Sequence, residues 1–112
     1  MQDDVLFPEF GIDPVSFWQK CNALVDEQQY DGELAYLKCL LDYLSMDNVS
    51  NARLEELGAN LTLFPGLPEM FDELAASCLS EQHRAIGVKL EFYVISSGLK
   101  ALLEGSPIKN KV

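Results

Sequence analysis

The chain has 112 residues, 48% apolar and 23% charged, which excludes a disordered polypeptide and fits one soluble globular domain. Its formal charge of −10, from 18 acids against 8 Lys and Arg, argues against nucleic acid and anionic membrane surfaces, since both are bound by clustered cations. Cys21, Cys39 and Cys78 have no metal spacing and read as free, buried thiols of a reducing compartment. With Asp3-Asp4 in place of a signal peptide and no spanning segment, this predicts a cytoplasmic protein.

Residues 1–12 contain Pro8 and Gly11 and read as an irregular lead-in. Asp13-Pro14 opens a first helix, an N-cap acid followed by proline in the first turn. Phe17, Trp18, Cys21, Leu24 and Val25 follow at helical spacing. Asp31-Gly32 interrupts the chain before a second helix, where Leu34, Leu37, Leu40, Leu41 and Leu44 form a stripe. Ser50 is a good N-cap for a short third helix with Leu54, Leu57 and Leu61 on one side. After the Phe64-Pro65-Gly66 turn, a fourth helix begins near Leu67-Pro68, with Leu67, Met70, Phe71, Leu74 and Cys78 as its inner face. Glu81 to Gly87 is polar and reads as a loop.

The period then changes. Leu90-Glu91-Phe92-Tyr93-Val94-Ile95 is a nearly continuous apolar run that stops at Ser96-Ser97-Gly98, the pattern of a strand buried on both faces of a parallel sheet. Helical spacing resumes at Leu99, Leu102 and Leu103 before Gly105. One strand without a neighbour leaves its backbone groups unpaired. Three resolutions are open: the segment is helical, it pairs with another copy, or the native protein has more strands. A strand, Ser-Ser-Gly and helix in that order favours the last, because ligands of α/β folds sit at the carboxyl ends of strands.

Tyr93-Val94-Ile95-Ser96-Ser97-Gly98-Leu99-Lys100 resembles motif II of the haloacid dehalogenase-like (HAD) hydrolase superfamily. Leu63-Phe64-Pro65-Gly66-Leu67-Pro68-Glu69 is similar to the turn that opens the helix before that motif. The stretch from Asp4 to Asp13, with Phe17-Trp18 and Asn22-Ala23-Leu24, resembles the start of an all-helical cap in a bacterial branch of the superfamily. The resemblance implies a mainly α chain, a four-helix cap-like bundle plus one strand and following helix of an incomplete α/β (Rossmann-like) core, divided into a helical cap-like region over 1–64 and a partial core (helix, motif II strand, helix) over 65–112. It implies Ser96 as the catalytic-site hydroxyl that holds a phosphoryl oxygen, with Ser97 and Gly98 cradling the phosphate. It implies Mg²⁺ in the parent family and a small phosphorylated compound as substrate.

The family's D-x-D nucleophile motif is missing, and so are its later lysine and metal-binding acids. Phosphoryl transfer by this route needs a carboxylate nucleophile, a proton shuttle and Mg²⁺. The chain therefore reads as a truncated portion of a phosphatase, inactive alone, with no firmly bound metal. His83, the sole histidine, sits in a polar connection and reads as a surface residue. Trp18 with Phe17 reads first as packing and second as the lining of a cap pocket, and Tyr36 with Tyr43 reads first as core-rim packing and second as a contact to substrate or a partner. The alternative to the phosphatase reading is a helical interaction domain without catalysis that self-associates through the unpaired strand.

Overall fold

The computed structural model describes residues 1–112, and its only regular elements are helices. No helix is long and apolar enough to cross a membrane. The expected irregular lead-in is instead helical: a π-helical turn over Gln2–Leu6 runs into α1 (Phe7–Phe10) and buries Val5, Leu6 and Phe7. Pro8 is compatible because it lies in the first turn of α1, where its missing N–H has no helical partner. Gly11 ends the helix with φ +61°, a left-handed conformation that glycine adopts without strain.

The two caps read from the sequence, Asp13 and Ser50, form, and the break at Asp31-Gly32 supplies a third. α2 (Pro14–Gln28) starts where the Asp13 carboxylate accepts the Ser16 N–H at 2.9 Å. Asp31 accepts from the N–H groups of Glu33 (3.0 Å) and Leu34 (3.3 Å) to start α3 (Gly32–Met46). Ser50 Oγ accepts from the Arg53 N–H at 3.2 Å to start α4 (Asn51–Gly58).

α2 packs against α3, with Phe17 and Cys21 meeting Ala35, Cys39, Leu40 and Leu44 in one apolar core. The inner face of α3 combines Leu40 and Leu44 with small residues, Ala35 and Cys39, that let α2 approach. The leucine stripe is thus split: Leu40 and Leu44 are buried, whereas Leu34 and Leu41 are 60% and 53% exposed. α4 packs against α7 (Lys100–Glu104) through Leu54, Leu57, Ala101 and Leu102. Two glycines make this crossing so close that the backbones nearly touch. A Cβ on Gly58 would meet the Leu102 carbonyl oxygen, and one on Gly105 would overlap the Glu55 peptide group. Gly105 has an ordinary φ of −84°, so the position needs glycine for space, not for backbone freedom.

Residues 62–95 form an arm on this body. It carries α5 (Leu67–Cys78) and α6 (Glu81–Ala85), and neither joins the principal helix packings. Phe71 is the only buried residue of α5, against Phe92 with ring centroids 4.9 Å apart. Met70, Leu74 and Cys78 of its expected inner face are exposed, so Cys78 is not a buried thiol. The segment expected as a loop contains α6, nucleated by a reciprocal cap: Ser80 Oγ accepts the His83 N–H, and His83 Nδ1 accepts the Ser80 N–H, both at 3.2 Å. The arm elongates the molecule to 58 × 29 × 23 Å with a radius of gyration of 18.2 Å. A compact chain of this length has about 13 Å.

The expected strand over Leu90–Ile95 does not form, and with it falls the incomplete α/β (Rossmann-like) core. The run has no regular structure, and Tyr93 and Ile95 are 81% and 99% exposed. No backbone group of residues 89–95 hydrogen-bonds within the protein. The physical reason is the one the pattern raised. A strand exists only against a neighbour, none is present, and the backbone therefore stays in water. The mainly α assignment holds, and the helix after the run packs on α4 instead of on a sheet.

Candidate functional site

The residues after the apolar run form a tight turn. Ser96 Oγ accepts the Gly98 N–H at 3.0 Å, which fixes the hydroxyl over the turn. The Ser96 oxygen is used as an acceptor there, so its own proton remains free to donate. The Gly98 N–H, expected to help cradle a phosphate, is already engaged. Gly98 lies close against Met1, whose Cε would be 2.7 Å from an added Cβ.

Fold geometry brings this turn to the first two long helices. Ser96, Ser97 and Gly98 line a recess of about 360 Å³ together with Trp18 of α2 and Gly32, Glu33 and Tyr36 of α3. The Trp18 and Tyr36 rings stack at 5.9 Å with an interplanar angle of 19°. Both belong to an aromatic cluster around Phe17, which also meets Phe7 and Tyr43. Phe17 and Tyr43 are therefore packing residues, whereas Trp18 and Tyr36 have one side in the cluster and another at the recess. Burial, and secondarily the nearby Cys21 thiol, push the Tyr36 phenol above its usual value. Tyr36 is accordingly a hydroxyl donor at neutral pH.

The electrostatics of the recess are not those of a finished phosphate site. Its one charged side chain is Glu33, and no Lys, Arg or His lines it. Lys100, the nearest cation in sequence, pairs instead with Glu104 at 3.3 Å. Lys111, in the tail, pairs with Asp72 at 2.5 Å. His83 is exposed on the arm, with its ring nitrogen committed to the α6 cap. Glu55 and Glu56 lie on α4, with Glu56 paired to Arg53 at 2.9 Å. No group of three or more His, Cys, Asp or Glu converges anywhere in the chain. Mg²⁺ favours octahedral oxygen sites with carboxylates and phosphate oxygens. A single glutamate beside two serines does not fit that requirement, so this chain by itself does not supply the metal site that the family resemblance implies.

The largest recess, about 780 Å³, lies elsewhere, between the end of α3, α4 and α7. Sequence reading gave no signal for it, because Leu41, Leu44, Val49, Leu54 and Leu99 come from four separate segments. It carries no cluster of reactive side chains, only Glu55 and the paired Lys100 and Glu104 among its charges.

Comparison with known proteins adds one relative. The chain is 29% identical over 113 residues to an uncharacterized protein of Borreliella burgdorferi, an alignment that covers 93% of this chain and 39% of that protein. The chain thus spans about two fifths of the length of the curated relative it matches. No family model and no solved structure matches it.

Proposed function

We propose that the chain is a portion of a HAD-like phosphohydrolase acting on a small phosphorylated compound, in which the Ser96-Ser97-Gly98 turn holds the phosphoryl group. The observation that carries this reading is the shared recess. The turn that resembles motif II opens on the same space as Trp18 and Tyr36, from the helices that resemble the cap. Residues distant in sequence meet where a substrate's phosphate and its organic part would both be contacted. The reading uses the turn and the helices and requires no sheet within this chain. The greater length of the Borreliella burgdorferi relative is compatible with a parent that carries further functional residues.

The chemistry assigned to this chain is binding and orientation. Ser96, with its oxygen held by the Gly98 N–H, donates its proton to a phosphoryl oxygen. Ser97 offers a second hydroxyl at the same recess. A serine without an adjacent base is a poor nucleophile, and none of the recess residues is a base of the right kind. The nucleophile, the proton shuttle and the charge neutralisation belong to residues beyond this chain. Glu33 opposes a dianion, so phosphate affinity of the chain alone is expected in the millimolar range, worth about 4 kcal/mol.

Two measurements test this. Trp18 is the only tryptophan, so its fluorescence reports the recess directly. Titration with phenyl phosphate should change the emission, and Ser96→Ala should weaken the response by about tenfold or more, the loss of one hydrogen bond to a charged group. In parallel, a Mg²⁺-supplemented assay with an aryl phosphate should show no turnover in either protein. A tryptophan signal indifferent to phosphate, or equal in both proteins, would sink the reading. Turnover lost in Ser96→Ala would show instead a complete enzyme with a different nucleophile.

A further inference from the structure

The arm presents a segment whose order of side chains is its own complement. Around Leu90 the sequence runs Val88-Lys89-Leu90-Glu91-Phe92. Turned end for end against itself, it places Lys89 opposite Glu91 on both sides of Leu90, and Val88 opposite Phe92. The neighbouring register, centred on Glu91, sets glutamate against glutamate and is disfavoured. Lys89 makes no ion pair within the chain.

The segment is also already disposed for such pairing. The Tyr93 hydroxyl donates to the Glu91 carboxylate at 2.6 Å, so these alternate residues share one side of the chain. Phe92, between them, packs on Phe71 of α5. Val88, Leu90 and Val94 are 41%, 39% and 45% exposed. Because residues 89–95 make no backbone hydrogen bond, their N–H and C=O groups are free to be shared with another chain.

We propose that residues 88–92 are the contact between two copies of this chain, paired antiparallel about Leu90 so that Lys89 of each copy faces Glu91 of the other. Self-complementary charge selects a second copy over an unrelated polypeptide, and two-fold pairing closes the assembly at a dimer. The contact is short, which makes the dimer weak and concentration-dependent. It is independent of the phosphate-binding reading.

Sedimentation equilibrium on the full chain tests it, with Lys89→Glu and Glu91→Lys made separately. Both variants should retain wild-type helicity, because the two side chains lie outside every helix. The parent should show a monomer–dimer equilibrium. Each variant alone places like charges opposite each other twice and should weaken self-association by about tenfold or more. Mixing the two variants restores both opposite-charge pairs in a heterodimer, so the 1:1 mixture should recover association close to that of the parent. Amides within residues 89–92, which are free in the single chain, should exchange more slowly as concentration rises. A chain that stays monomeric to ~1 mM, a dimer unaffected by the single reversals, or open-ended oligomers would each overturn the proposal.

Discussion

The body and the arm use the same kinds of residues and obtain different results from them. In the body, Leu6, Phe17, Leu40 and Leu102 are completely buried, each held by residues from other segments. In the arm, Phe64, Ile86, Tyr93 and Ile95 are all at least 78% exposed. Hydrophobicity is comparable; the number of elements that converge is not. Two helix pairs, α2 with α3 and α4 with α7, enclose the body, whereas the arm has one helix of useful length and a return segment that meets it at the Phe71–Phe92 pair. An apolar residue is stabilising only where other elements arrive to cover it.

The strongest way to break that contrast is to remove the body's closest contact. Gly105→Val puts atoms where the Glu55 peptide lies, so α4 and α7 must separate. The expected loss is more than about 4 kcal/mol of stability, seen as loss of cooperative urea unfolding by circular dichroism. A variant as stable as the parent would show that the α4–α7 crossing is not what closes the body. A sharper comparison uses two adjacent leucines of α3. Leu40→Ala should cost about 2–5 kcal/mol, and Leu41→Ala should stay within about 0.5 kcal/mol, because Leu40 is fully buried and Leu41 is 53% exposed. Equal costs would mean that Leu41 shares the buried face of α3 with Leu40.

The smallest effect separates the regions chemically. Cys78 on the arm is exposed, while Cys21 and Cys39 are buried. Burial, with the Cys39 thiol in contact, pushes the Cys21 thiol up from 9.0 to about 12. A thiol reagent at pH 8 should therefore modify Cys78 promptly and the two body thiols only after unfolding. The linked stability is fully present below pH 9.0, where the thiol is neutral in both states. It is lost as pH rises from 9.0 towards about 12, because the unfolded chain releases its proton first. Prompt reaction of all three thiols in the folded protein would erase the distinction between body and arm.

What could be read in advance was whatever is decided locally. The caps at Asp13 and Ser50 depend on one side chain and the next turn, and both formed. Burial of Phe17, Leu44, Leu54 and Leu57 followed from helical spacing. The α6 helix was missed because its reciprocal cap uses His83 where glutamate or glutamine is the usual signal. On α3 the stripe named two buried leucines, Leu40 and Leu44, but missed Ala35 and Cys39, which carry little hydrophobic weight and yet allow α2 to approach. The run Leu90–Ile95 failed for a different reason. Its pattern records a preference for being covered, and no local rule says whether a cover exists. Of the candidate site, the Ser96–Gly98 turn was visible as a break in the pattern. Its meeting with Trp18 and Tyr36 was only one of two readings, because that choice depends on how α2 and α3 sit against the chain's last third.

The elongation produced by the arm bears on how the protein would behave in flow. A radius of gyration of 18.2 Å is what a compact chain of roughly 260 residues would have. On a sizing column the single 112-residue chain would therefore elute ahead of its mass, at a position that a compact dimer could also occupy. Hydrodynamic radius alone cannot distinguish one extended copy from two copies side by side. Molar mass, from sedimentation at equilibrium or from light scattering, carries that information because it does not depend on shape.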